Sequence, residues 1–132
     1  MRMQKKILFT VLGLAILGLS VGKGAMTTWA AARGNVVVFS ANWCASCREV
    51  LPVVRDVASQ NGLSVTEIDV DSQSAPKQAQ NLGLSIPNDE PPQVFYVNKG
   101  RSTLLYSGKN FKFGYADAVR ASLLQNLQRA QQ

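Results

Sequence analysis

The tetrapeptide Cys44-Ala45-Ser46-Cys47 constrains this chain more than any other feature, because it holds the only two cysteines in 132 residues. A β-branched run, Val36-Val37-Val38-Phe39, leads into it, and apolar residues at helical spacing (Val50, Leu51, Val54, Val57, Ala58) lead out. The pattern predicts a strand, an exposed turn and two thiols at a helix N-terminus. A thiol attacks as its thiolate. The unpaired N–H groups and partial positive charge of a helix N-terminus stabilise that anion. Cys44 is therefore read as the exposed, attacking thiol. Cys47, one turn on, is the resolving thiol that would displace a product from a mixed disulfide.

Other uses of C-x-x-C fit less well. A c-type haem site needs a histidine after the second cysteine, but Arg48 stands there and the chain has no histidine. A structural zinc site needs four Cys or His ligands, and one chain supplies two. A structural disulfide across two residues would remove little unfolded-state entropy. A Cu(I) carrier with two thiolate ligands and a pair of inert buried thiols both stay open. No cofactor or resident metal is expected.

The rest of the globular part reads as alternating strands and helices. Val36–Ser40 is apolar up to its final serine, as in a strand buried on both faces. The helix after Cys47 runs to about Asn61 with Gly62 as its stop, and Pro52 should kink it. Leu63–Val70 is the next strand. Ser74-Ala75-Pro76 opens a helix that runs to about Leu82 and is closed by Gly83. Residues 84–92 are a proline-rich loop. Gln93–Val97 and Ser102–Tyr106 form a hairpin around Asn98-Lys99-Gly100-Arg101. Ala118, Val119, Leu123, Leu124 and Leu127 mark a closing helix from Tyr115 to about Ala130. The expected architecture is α/β: a central mixed β-sheet with helices on both faces, preceded by an N-terminal hydrophobic helix.

That N-terminal segment has its own character. Arg2, Lys5 and Lys6 precede sixteen uncharged residues, Ile7–Gly22. A helix of that length spans about 24 Å, short of a ~30 Å hydrocarbon core, with Ala25, Met26 and a snorkelling Lys23 able to extend it. Residues 1–26 are read as a signal anchor or signal peptide, and 27–132 as the folded domain. Ala30-Ala31-Ala32 offers a cleavage site, but Thr27–Gly34 also reads as a short capped helix that cleavage would destroy. An uncleaved anchor is therefore expected, with membrane contact through residues 7–22; cleavage would instead leave a soluble exported domain. Of fourteen Lys and Arg, five (Arg2, Lys5, Lys6, Lys23, Arg33) lie in residues 1–33 with no acid, which leaves nine basic and eight acidic side chains, net +1, in residues 34–132. This distribution fits the positive-inside rule, and the N-terminus is expected in the cytoplasm and the domain on the exported side, in a periplasm or equivalent lumen. Nothing in it suggests nucleic acid.

Phe39-Ser40-Ala41-Asn42-Trp43-Cys44-Ala45-Ser46-Cys47-Arg48 resembles the active-site segment of the thioredoxin superfamily, which has a tryptophan before its first cysteine and a basic residue after its second. Pro52 matches the family's helix-kinking proline, and Ile68-Asp69-Val70-Asp71 its next central strand. Pro92-Gln93-Val94-Phe95-Tyr96-Val97-Asn98-Lys99-Gly100 is similar to its cis-proline, strand and turn. The resemblance, over residues 28–130, implies a thioredoxin-like fold and thiol–disulfide exchange with protein substrates, fed by a membrane or soluble electron donor. It gives Trp43 and Pro92 supporting places at the site, with Pro87 as the competing cis-proline. The family's pairing of substrate backbone with the residue before that proline meets an obstacle here, since Pro91 has no N–H. The buried aspartate of thioredoxin is replaced by Val38, while Glu67 stands where the family usually has a lysine. Glu67 would serve as general base for the resolving step if it pointed inward; on a solvated face it would not. Ala45 and Ser46 supply neither the histidine of strongly oxidising relatives nor the proline of thioredoxin, which favours a reductase or electron relay.

Overall fold

A computed structural model describes residues 33–132. The segment expected to be an anchor or signal (1–26) and most of the short helix expected at 27–34 lie outside the described residues. Among the described residues, no helix is long and apolar enough to cross a membrane.

The domain is built on strand β1 (Asn35–Ser40), in which Val37, Val38 and Phe39 are fully buried. Helix α1 (Ala45–Gln60) follows the tetrapeptide, with Pro52 inside it but not ending it. Asn61 caps its C-terminus, and Gly62 takes the left-handed conformation that the stop requires. Strand β2 (Ser64–Asp69), helix α2 (Ala75–Asn81), strands β3 (Gln93–Asn98) and β4 (Arg101–Ser107), a 3₁₀ turn (Gly108–Asn110) and helix α3 (Ala116–Ala130) complete the order. The β3–β4 turn has positive φ at both Lys99 (52°) and Gly100 (74°), the mirror-image geometry that a two-residue hairpin loop demands.

The sheet order is β2-β1-β3-β4. β1 and β2 are parallel, as the intervening helix requires, and β3 and β4 are antiparallel to their neighbours. The sheet is therefore mixed. Alternation along β1 divides the core. Val36 and Val38 face α1 and α3 in a cluster with Val50, Val54, Leu123 and Leu127. Val37 and Phe39 face α2 with Ile68, Ala75 and Ala79. Helices thus cover both faces, as expected. Phe39 meets Phe95 edge-on, ring centroids 5.8 Å apart; complete burial of such a side chain contributes about 2–3 kcal/mol. Because β1 is central and ends at Ser40, the turn that carries the cysteines leaves the sheet at the C-terminal edge of its parallel strands, where α/β folds place their sites.

Candidate active site

Cys44 and Cys47 are joined as a disulfide, their Cα atoms 5.3 Å apart. Cys44 is the N-cap of α1, and its Sγ accepts a hydrogen bond from the Cys47 backbone N–H at 3.1 Å. The cap position, normally filled by a side-chain oxygen, is here filled by sulfur. A thiolate at Cys44 after reduction would have this N–H and the helix dipole already aimed at it. Cys47 lies within the first turn, packed with Ala41, Leu51 and Val70.

The exposure expected for Cys44 is corrected. Residue exposure is 4% at Cys44 and 2% at Cys47, so the two differ in position and not in accessible surface. The cover over Cys44 is local. The Ser46 hydroxyl lies 3.2 Å from its Sγ and the Pro91 carbonyl oxygen 3.4 Å away. A disulfide sulfur has no proton, so Ser46 is the donor to Sγ, with the Pro91 carbonyl a second acceptor for it at 3.5 Å.

Among the described residues the cis peptide bond is Pro91–Pro92, not one at Pro87. Pro92 is buried and Pro91 half-buried. Pro91 has no N–H, but its carbonyl points at the disulfide. Gln93, the next residue, is buried; its Nε2 donates to the Glu90 carbonyl at 2.7 Å and to Ser107 Oγ at 2.9 Å, which ties the proline loop to the end of β4. From the other side Gly108 closes against the same loop. A Cβ there would lie 2.5 Å from Pro91 O and 2.8 Å from Glu90 O, so only glycine fits.

Trp43 is exposed, and its Nε1 donates to Asp71 Oδ2 at 2.8 Å, which fixes the indole beside the turn. Val38 is wholly buried among apolar side chains, so no carboxylate stands at that point of β1. Its parallel-strand partner is Glu67. Of the two placements open to Glu67, the structure has the exposed one: its side chain is 40% accessible. Arg55 Nη2 on α1 donates to Oε2 at 3.0 Å, and the buried Ser40 hydroxyl to Oε1 at 3.1 Å. The burial on which a general-base role depended is absent, and Glu67 braces α1 against the β1–β2 pair. Among the described residues no three metal-ligating side chains converge.

Sequence reasoning passed over Ser46, Gln93 and Gly108. Ser46 was visible only as a small residue between the cysteines. Gln93 carried no polar pattern to distinguish it from a strand residue, and Gly108 looked like a loop glycine, since its demand is steric and comes from a loop seventeen positions earlier.

The thioredoxin family model matches residues 27–120. A curated thioredoxin from Mycolicibacterium smegmatis is 34% identical over 79 residues, which cover 53% of this chain and 70% of that one. The crystal structure of the germline-specific thioredoxin Deadhead from Drosophila melanogaster aligns with a TM-score of 0.51 at 17% identity, over 78% of this chain and 90% of that one. The thioredoxin of Fasciola hepatica aligns at 0.49 and 20%, over 81% and 93%. At 17% identity the Deadhead structure speaks for the fold alone, whereas the family model and the curated relative speak for descent. The disulfide at the head of α1 and the mixed sheet behind it are therefore those of a member of the thioredoxin family, whose chemistry is thiol–disulfide exchange.

Proposed function

We propose that this protein is an exported thiol–disulfide oxidoreductase, held to a membrane through residues 7–22, that works as a reductase or electron relay with Cys44 as attacking and Cys47 as resolving thiol. The observation that carries this reading is the Cys47 N–H directed at Cys44 Sγ at the head of a sixteen-residue helix. In the reduced protein the Cys44 thiolate attacks one sulfur of a substrate disulfide. A Cys44–substrate bond forms, and the first substrate thiolate leaves and takes a proton. Cys47 then loses its proton to solvent and attacks Cys44 Sγ. The mixed disulfide breaks, the second substrate thiol is released, and the Cys44–Cys47 disulfide forms. Two electrons pass from protein to substrate, and a separate dithiol donor, membrane-bound or soluble, must return them. Trp43 and the Pro91–Pro92 loop flank the reacting sulfur, and Pro91 offers a substrate backbone an acceptor only.

The direction rests on composition: no histidine between the cysteines to stabilise the reduced form. The tether rests on the basic start followed by Ile7–Gly22 and on an N-terminal charge excess that the domain lacks. Insulin-disulfide reduction with dithiothreitol as donor tests the chemistry. A wild-type protein that binds Cu(I) tightly one-to-one but leaves insulin unreduced would assign the carrier role instead. Carbonate washing of membranes tests the tether: full-length protein should stay with the membrane, and a soluble form beginning near Arg33 would leave only export.

A further inference from the structure

We propose that the loop Lys109–Tyr115, with the cavity behind it, is a docking surface for an acidic segment of a partner protein, which seats an apolar side chain in that cavity while its cysteines meet Cys44. The loop is placed for this. It begins one residue after Gly108, which packs against the Pro91 carbonyl, and that carbonyl lies 3.4 Å from Cys44 Sγ. A protein whose cysteine reaches Cys44 across Pro91 comes next onto this loop.

The loop also presents apolar surface to solvent. Phe113 is 63% and Tyr115 61% exposed. Phe113 is held outward by edge-on contact with Phe111, ring centroids 4.9 Å apart, and Phe111 is half-buried against the core. Rigid aromatic side chains lose little freedom on binding, which suits them as interface anchors. Tyr115, with Lys112 from the same loop, lines a cavity of about 350 Å³ that has Leu105 and Val119 among its apolar lining and Tyr106 and Asn126 among its polar lining. That is room for one large side chain, at the small end of ligand pockets.

Charge selects the occupant. Lys109 and Lys112 are exposed, and residues 107–116 contain no acid. Among the described residues neither lysine has an acid within salt-bridge distance, Asp89, Glu90 and Asp117 included. The chain's own residues 1–33 bring five cations and no anion, and a second copy of residues 34–132 carries net +1, so neither complements the loop. An acidic partner does. An anionic lipid surface would match the charge but has no use for a cavity one side chain wide, and it would not need to begin beside the disulfide.

This inference deepens the proposed function, since it takes the partner to be a substrate or donor of the Cys44–Cys47 pair. Binding can nevertheless be measured without that reaction. The probe is a labelled, cysteine-free peptide of alternating Glu and Leu, compared with one carrying Lys for Glu, each titrated by fluorescence anisotropy into the oxidised full-length protein in neutral detergent. The acidic peptide should bind about tenfold tighter, with the preference shrinking as salt is raised. Lys109→Ala/Lys112→Ala should abolish the preference, and Phe113→Ser should weaken the acidic peptide about fivefold. After reduction with dithiothreitol and its removal, both variants should react with bis(2-hydroxyethyl) disulfide at the wild-type rate. Equal affinity for the two peptides, or a preference that survives loss of both lysines, overturns the proposal. So does a result in which Phe113→Ser lowers binding to phosphatidylserine-containing vesicles while the two peptides bind alike. If the wild type fails to react with the small disulfide, the redox reading fails and the docking result still stands or falls on its own.

Discussion

Replacing Gly108 by alanine should damage the site from behind without touching a sulfur. Gly108 has an ordinary negative φ, so alanine meets no backbone strain of its own; the obstacle is contact. Its Cβ would lie 2.5 Å from Pro91 O, 2.6 Å from Pro91 C and 2.8 Å from Glu90 O, all backbone atoms with no flexible end to swing aside. Bonded-chain Cβ atoms do not approach heavy atoms closer than about 3.0 Å. Pro91 must therefore retreat by at least about half an ångström, and Gln93, whose amide holds Glu90 to Ser107, must give with it. Overpacking of this kind costs about 1–3 kcal/mol, which for a domain near 100 residues is about 4–8 °C of Tm per kcal/mol. Denaturant unfolding of Gly108→Ala should show that loss, and reduction of a peptide disulfide should slow because the Pro91 carbonyl no longer sits over Cys44. Gly83→Ala is the control: its φ of +73° makes alanine strained, but nothing lies within 4 Å of the added Cβ, so it should cost about 1 kcal/mol and leave the reduction rate alone. Wild-type stability and rate in Gly108→Ala would refute the close packing on which this reasoning rests.

Ser46→Ala removes one of the two donors on Cys44 Sγ, worth about 1 kcal/mol to a thiolate; the two-electron potential, read by equilibration with a glutathione buffer, should fall by about 20 mV, and Ser46→Thr should restore it. Glu67→Gln should cost less than about 1 kcal/mol, as for an exposed ion pair, and leave the rate and pH profile of mixed-disulfide resolution unchanged; a slower resolving step would return Glu67 to the role of base. Burial raises the Tyr106 phenol above its ordinary value of 10.0. The folded state therefore resists its ionisation, so stability present below pH 10 should decline as pH rises beyond it, and Tyr106→Phe should flatten that alkaline limb in pH-dependent denaturation.

The elements most legible in the sequence were those whose signals are local. Val36–Ser40 has the continuous apolar run of a doubly buried strand, Gly62 and Gly83 stand where helices must stop, and Asn98-Lys99-Gly100-Arg101 has the composition of a tight turn. Each agrees with the structure to within a residue or two. The proline-rich loop gave two cis candidates, and only the antiparallel register of β3 on β1, which brings Gln93 opposite Phe39, sets Pro92 beside the cysteines. The side of the sheet taken by Glu67 was open for a similar reason: it depends on register with Val38, and its exposure depends on β2 being an edge strand. The cover over Cys44 was hidden for two reasons: Ser46 beside it shows no signal beyond being small, and the Pro91 carbonyl reaches it only through the tertiary fold.

The most direct test of the central claim, that Cys44 attacks and Cys47 resolves, is trapping. Cys47→Ser should retain Cys44 and lose only the second step, so mixing it with an oxidised protein substrate should accumulate a mixed disulfide. Non-reducing mass spectrometry should map that link to Cys44, and the matching Cys44→Ser protein should trap little or nothing. Equal trapping by the two variants, or a link formed through Cys47 alone, would contradict the account.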